Sequence, residues 1–157
     1  MKHILFAASE GVPFIKTGGL ADVVGSLPKC IDKEYFDVRV IMPKYSCMKQ
    51  EEKDKMSFVT HFYMDFNYKR EYVGILTAES DGVKFYFIDN EEYFSGMKPY
   101  GDDTLWEITK YAFFSKAVLS VLPVIDFRPE IIHCHDWQTG LVPVYLKERF
   151  QGNDFYH

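Results

Sequence analysis

The stretch Lys16-Thr17-Gly18-Gly19-Leu20-Ala21-Asp22-Val23 lies between an apolar strand, predicted for residues 3–8, and a helix that begins near Leu20. Two adjacent glycines at such a turn let the backbone approach a ligand closely, because neither carries a Cβ. The free N–H groups at the start of the helix point at that ligand and favour negative charge. Lys16 adds a mobile positive charge suited to phosphate. The turn is therefore a candidate site for an anionic or polyhydroxylated ligand.

The alternative for this segment is a tight structural turn beside a solvated lysine. It lacks the G-x-G-x-x-G pattern of dinucleotide sites and the G-x-x-x-x-G-K-[ST] pattern of phosphate loops. Position and residue type alone leave both interpretations open.

The neighbouring elements predict the fold class. Strand 3–8 is apolar without alternation, which is typical of a strand covered by helices on both faces. A helix is predicted over 20–33, with Pro28 expected to kink or break its last turns. A second apolar strand follows over 38–42 and stops at Pro43. Strand, helix and parallel strand form a right-handed βαβ unit, so we expect an α/β fold with a Rossmann-like, doubly wound and mainly parallel sheet.

An antiparallel hairpin insertion is predicted in the middle of the chain. Strands are expected over 58–67, 72–78 and 84–89, with Ser80-Asp81-Gly82 as a hairpin turn. Aromatic side chains crowd this stretch, and packing between strands and core is favoured over a sugar-stacking surface. They are Phe58, Phe62, Tyr63, Phe66, Tyr68, Tyr72, Phe85, Tyr86 and Phe87.

The last third of the chain returns to the α/β pattern after a polar loop over 95–103. Its predicted elements are a helix over 105–122 ended by Pro123, a buried strand over 131–134, a helix over 141–149 and a turn over 151–154. Because an α/β sheet normally continues with another strand, we expect a truncated domain.

The segment His133-Cys134-His135-Asp136 contains four residue types that ligate metals. On a strand, however, the two histidines share one face and Cys134 points to the other, and no second cluster completes a zinc site. His135 and Asp136 also fall at the carboxyl end of a parallel strand, where α/β folds place ligands. Asp136 either binds sugar hydroxyls there or caps the helix that follows.

The composition excludes several classes of protein. Apolar residues make up 47% and charged residues 26% of the 157, as in an ordinary globular domain. The net charge of −5 predicts no binding to nucleic acid or to an anionic membrane. The chain contains no membrane-length apolar run and no secretory signal, so we expect a cytoplasmic protein. Cys30, Cys47 and Cys134 are expected to be reduced thiols.

Four segments, in order and with comparable gaps, resemble bacterial glycogen synthases and plant starch synthases. These are residues 4–24 with Ser9-Glu10 and the lysine–glycine turn, the strand 38–43, the loop Pro99-Tyr100-Gly101-Asp102, and residues 132–141 with His-Asp-Trp. The resemblance implies a glycosyltransferase of two Rossmann domains. Such an enzyme transfers glucose from ADP-glucose to the non-reducing end of an α-1,4-glucan with retention, without an essential metal or other cofactor.

The resemblance also implies roles for individual residues. Lys16 is expected to reach the donor phosphates, and Gly18 and Gly19 to bring backbone N–H groups near the diphosphate or the transferred glucose. The remaining expected site residues line the sugar and acceptor side of the cleft: Asp136 and Tyr100 as catalytic residues, with Asp22 and His135 as substrate-binding residues.

By the same resemblance, residues 1–157 form the acceptor-side N-terminal domain, and the C-terminal nucleotide-sugar domain is missing. We therefore expect the isolated chain to be inactive. The alternatives are half of a UDP-sugar-dependent glycosyltransferase, a stand-alone glucan-binding module that uses residues 58–94, and a nucleotide-sensing Rossmann domain, which the missing fingerprint glycines disfavour. Cys134 replaces an alanine common in the family, a small change that we expect a buried strand to accept.

Overall fold

The computed structural model describes residues 1–156, which form a single sheet with helices packed against it. The strands are β1 (Lys2–Ala7), β2 (Phe36–Pro43), β3 (Ser57–Phe66), β4 (Lys69–Ser80), β5 (Val83–Asp89) and β6 (Ile131–Cys134). The helices are α1 (Gly19–Cys30), the short α2 (Gln50–Lys53), α3 (Thr104–Val124) and α4 (Leu141–Arg149).

The sheet has the strand order β3-β4-β5-β2-β1-β6 and confirms the predicted α/β class. β5, β2, β1 and β6 run parallel to one another, with Ile4 of β1 opposite Val38 of β2 on one side and Ile131 of β6 on the other. The chain leaves β1 towards β2 and later returns to β6 on the opposite side of β1. The boundary between β1 and β6 is therefore the topological switch point, where folds of this class bind ligands.

The antiparallel strands continue the same sheet. β5 pairs parallel with β2 and antiparallel with β4, and β3 then pairs antiparallel with β4. Asp81 and Gly82 both have positive φ, as the predicted hairpin turn requires. A second hairpin turn lies at Asn67 and Tyr68, which also have positive φ, whereas the predicted strand 58–67 included Asn67.

α1 ends shortly after Pro28, as predicted, but α3 continues past Pro123, where an end was predicted. α1 ends at Cys30, two residues after Pro28 and three before the predicted end, while α3 continues through Pro123 to Val124. Both prolines lie in the last turn, where a missing N–H and the ring's bulk disturb only the helix end.

Most of the aromatic residues in the middle of the chain pack into the domain, as predicted. Phe85, Tyr86 and Phe87 of β5 are buried, whereas Phe58 and Tyr63 of β3 are exposed. Burial thus follows position in the sheet: β5 lies inside it, and β3 is an edge strand.

The prediction of a buried strand over 131–134 is correct in its bounds and wrong in its burial. Within residues 1–156, β6 pairs only with β1, which leaves Ile131 exposed and Cys134 half-buried. A continuous apolar run is typical of an interior strand, but burial depends on neighbours that the run itself does not specify. Within residues 1–156, no helix is long and apolar enough to cross a membrane.

Candidate functional site

The ends of β1 and β6 lie side by side at the switch point. Ala7 is opposite Cys134, and the next residue, His135, donates its backbone N–H to the Ala7 carbonyl. The two chains continue from there as Ser9-Glu10 and as Asp136. Groups far apart in sequence therefore meet at the edge where a ligand is expected.

Tyr100 joins these strand ends from the loop between β5 and α3. Its hydroxyl lies 2.6 Å from Ser9 Oγ. Burial raises the pKa of Tyr100 to about 12, and the negative charges of Glu10 and Asp136 also raise it. Tyr100 is therefore a protonated phenol at neutral pH and can donate a hydrogen bond.

A buried polar network holds the Tyr100 loop. Tyr45 donates to the Ser9 carbonyl at 2.6 Å, and its phenol oxygen is 3.0 Å from that of Tyr111. Tyr111 in turn donates to the Pro99 carbonyl at 2.9 Å, and Lys110 donates to the same oxygen at 2.8 Å. Sequence reasoning missed Tyr45, Tyr111 and Lys110, because their partners lie on other elements.

The lysine–glycine turn is held by two carboxylates. Glu10 Oε2 accepts hydrogen bonds from the Thr17 backbone N–H at 2.8 Å and from Thr17 Oγ1 at 2.5 Å. Lys16 donates to both carboxylate oxygens of Asp22, at 2.9 and 2.7 Å, in a half-exposed ion pair. Lys16 is thus a paired residue rather than a freely solvated one, and its partner is another predicted site residue.

The two glycines leave open space at the start of α1. Gly18 has φ −160°, an extended conformation open to any residue, and caps α1 without a side-chain hydrogen bond. A Cβ on Gly19 would meet no atom within 4 Å apart from its chain neighbours and the backbone of α1. Neither the backbone conformation nor protein packing therefore requires glycine at these two positions. The absence of side chains leaves space there for a ligand.

Asp136 has φ 61° and ψ −179°, a combination rare outside glycine. Its side chain makes no capping hydrogen bond, so the capping interpretation is wrong. Thr139 Oγ1 holds the loop instead, donating to the carbonyl of His135 at 2.8 Å. Such strain persists where surrounding structure enforces it, often at ligand sites.

The ring of His135 packs mainly against other rings. Its ring centroid is 4.2 Å from that of His133 and 5.2 Å from that of Phe6. Burial, together with the nearby His133, lowers the pKa of His135. Its Nε2 atom is enclosed and has no hydrogen-bond partner in the part of the chain that the structure describes. In residues 1–156 no three His, Cys, Asp or Glu side chains come together as a metal site.

A cavity of about 520 Å³ adjoins the site. Tyr100, Trp137 and Gln138 line it, and Trp137 is 58% exposed. The ring also packs edge-to-face on Tyr111, which ties it to the network behind Tyr100. An exposed aromatic face beside polar groups is suited to a sugar ring.

The geometry brings together most of the predicted site residues from separate parts of the chain, in the order that the sequence resemblance implies. Residues 3–157 match the family model described as starch synthase catalytic domain. The chain belongs to that family.

Two similar relatives in this family carry the name glycogen synthase. One, from Lachnoclostridium phytofermentans, is 62% identical over 100% of this chain and 33% of its own length. The other, from Lachnospira eligens, is also 62% identical, over 99% of this chain and 32% of its own length. The chain thus spans about a third of the length of the curated relatives it matches.

A solved structure supports the same placement. The catalytic domain of Starch Synthase IV from Arabidopsis thaliana, bound to ADP and acarbose, matches 95% of this chain and 30% of its own chain. The TM-score is 0.82 at 29% sequence identity. The fold of the described residues is therefore that of a starch synthase catalytic domain.

Proposed function

We propose that residues 1–157 form the N-terminal, acceptor-side domain of a glycogen synthase. The complete enzyme transfers glucose from ADP-glucose to the non-reducing end of an α-1,4-glucan with retention. The observation that carries the proposal is the contact between Tyr100 and Ser9, which brings the Tyr100 loop to the strand ends beside the glycine turn and Asp136.

The glycine turn is suited to the leaving group. As the glucosyl bond breaks, negative charge accumulates on the departing ADP phosphate, and fixed N–H groups at the start of α1 stabilise it. Lys16 adds a positive charge after exchanging its Asp22 partner for phosphate. Because the Lys16–Asp22 pair is half-exposed, that exchange costs little.

The remaining site residues are suited to the sugar. Asp136 offers a carboxylate that accepts hydrogen bonds from hydroxyl groups, and protonated Tyr100 donates one. His135 supplies a neutral wall beneath the loop, and Asp22 lies beside Lys16 at the turn.

The choice of ADP rests on the resemblance and on the ADP in the Arabidopsis structure. We also propose that the C-terminal nucleotide-sugar domain is required and that the isolated chain transfers no glucose. The cytoplasm is the proposed compartment, which the free thiols of Cys30, Cys47 and Cys134 support.

A chimera tests the proposal. The chain replaces the matching third of the L. phytofermentans relative, and transfer of labelled glucose to glycogen is measured from ADP-glucose and from UDP-glucose. We expect transfer from ADP-glucose by the chimera and none by the isolated 157 residues. A folded chimera without transfer contradicts the proposal. Transfer from UDP-glucose but not from ADP-glucose contradicts the proposal that ADP-glucose is the donor.

The exposed rings of Phe58 and Tyr63 favour a second candidate, a stand-alone glucan-binding module. Titration of the isotope-labelled chain with maltooligosaccharides separates the two. Chemical-shift changes at Gly18, Tyr100 and Asp136 support the cleft, whereas changes confined to residues 58–94 support the module.

A further inference from the structure

Glu10 is a buried charge that the proposed mechanism leaves without a role. It follows the end of β1 and is 2% exposed. None of residues 1–156 forms an ion pair with it, since Lys16 pairs with Asp22 instead. A carboxylate in such a position is costly unless hydrogen bonds satisfy it.

The two oxygens of Glu10 have different surroundings. Oε2 accepts both hydrogen bonds from Thr17, at 2.8 and 2.5 Å. Oε1 accepts none from the described part of the chain, yet it is absent from the enclosed side-chain atoms without partners, which are Glu107 Oε2, His135 Nε2 and Gln138 Oε1. Oε1 is therefore not fully enclosed, although the residue as a whole is buried.

That free oxygen faces the candidate site. It lies 3.9 Å from the position that a Gly18 Cβ would occupy, and no other described residue beyond the chain neighbours of Gly18 comes within 4 Å of that position. The charge of Glu10 also contributes to the raised pKa of Tyr100, so the carboxylate is near the phenol as well.

We propose that Glu10 acts through both oxygens: Oε2 positions the lysine–glycine turn by holding Thr17, and Oε1 accepts a hydrogen bond from a hydroxyl of the glucosyl unit bound against Gly18. The inference rests on the proposed function. It adds a sugar-binding group, and a positioning contact, to the site.

The chemistry selects a hydroxyl over a phosphate as the partner. An ionised carboxylate only accepts hydrogen bonds and repels an anion, whereas a sugar hydroxyl can donate. Phosphate is then left to Lys16 and the α1 N–H groups, and Glu10 discriminates the sugar end of the donor from the diphosphate end.

The test compares Glu10→Gln with Thr17→Val in the active chimera. Glutamine keeps a carbonyl oxygen that can accept from Thr17, but it removes the charge and places an amide NH2, which cannot accept a hydrogen bond, at the Oε1 position. Valine removes one of the two hydrogen bonds to Oε2 and leaves Oε1 intact. Glu34→Gln, an exposed residue just before β2 at the opposite end of the parallel strands, is the charge control.

Each protein is assayed with ADP-glucose and with its 2-, 3-, 4- and 6-deoxyglucose analogues. In the parent, we expect one analogue, lacking the hydroxyl that Oε1 binds, to lose kcat/KM by about tenfold to a hundredfold, as for a hydrogen bond to a charged group. That loss should shrink to within about threefold in Glu10→Gln, and remain in full in Thr17→Val and Glu34→Gln.

If the loss of kcat/KM for each of the four analogues is the same in Glu10→Gln as in the parent, the Oε1 assignment is overturned. Unchanged kcat/KM in Thr17→Val for every donor overturns the positioning role of Oε2. A folded chimera that is inactive with ADP-glucose overturns the proposed function itself, and this inference with it. Thermal unfolding of each variant excludes loss of the fold as the cause.

Discussion

The ammonium of Lys110 lies 2.8 Å from the carbonyl oxygen of Pro99, the residue that precedes Tyr100. The same ammonium is 2.5 Å from Glu107 Oε1, and both side chains are more than nine-tenths buried. A buried ion pair on α3 thus fixes the backbone from which Tyr100 reaches Ser9. The contribution of this ion pair to the free energy of unfolding can be measured on the 157-residue chain.

Lys110→Met should destabilise the chain by about 3–5 kcal/mol, because it leaves the Glu107 charge buried and unpaired. The double variant Lys110→Met/Glu107→Leu should recover most of that loss, since no buried charge remains. Urea unfolding of the 157-residue chain measures both. A double variant as unstable as the single one would contradict this account.

Gly19→Ala should leave the fold intact and impair ligand binding. A Cβ there meets no protein atom within 4 Å, so we expect the free energy of unfolding to change by less than about 1 kcal/mol. In the chimera, kcat/KM for ADP-glucose should fall, because the methyl group occupies the ligand's space. Gly152→Ala, which also places its Cβ in open space, is the matched control. Equal activity of the two variants argues against a ligand at Gly19.

Lys16→Ala should lower turnover of the chimera on the order of a hundredfold, by removing a charge that stabilises the departing diphosphate. Lys147→Ala, at an exposed position on α4, removes the same charge outside the site and should have no effect. Steady-state kinetics with ADP-glucose distinguish the two. Unchanged turnover in Lys16→Ala returns this residue to the role of a surface lysine paired with Asp22.

Local patterns predicted the parts of the structure that depend on local chemistry. The apolar runs located β1, β2 and β6 to within two residues, and the glycine pair and His135-Asp136 lie at the ends of regular elements, as predicted. The glycine pair follows β1 and His135-Asp136 follows β6. Because these strands are parallel, their carboxyl ends lie at the same edge of the sheet.

The features that the sequence did not predict depend on contacts between residues that are distant in the chain. Tyr45 donates to Ser9 across 36 positions, and Tyr45 and Tyr111 meet across 66. No periodicity encodes such a meeting. The exposure of β6 was missed for the same reason, because an apolar run does not say whether a strand has one neighbour or two.

The lowered pKa of His135 predicts a pH dependence of stability. Burial lowers this pKa below the ordinary value of 6.5, and the nearby His133 lowers it further, so the folded chain keeps the ring neutral where the unfolded chain already binds a proton. The unfolded state then binds more protons, and the free energy of unfolding falls as pH drops from 6.5 towards the folded pKa.

His135→Gln removes that proton uptake, so its stability should fall less than that of the parent between pH 7 and pH 5. Thermal unfolding across this range measures the difference. NMR titration of the His135 ring in the folded chain should give a midpoint below 6.5. A midpoint at or above 6.5 contradicts the burial argument, because a ring that protonates as readily when folded as when unfolded contributes no pH dependence of this sign.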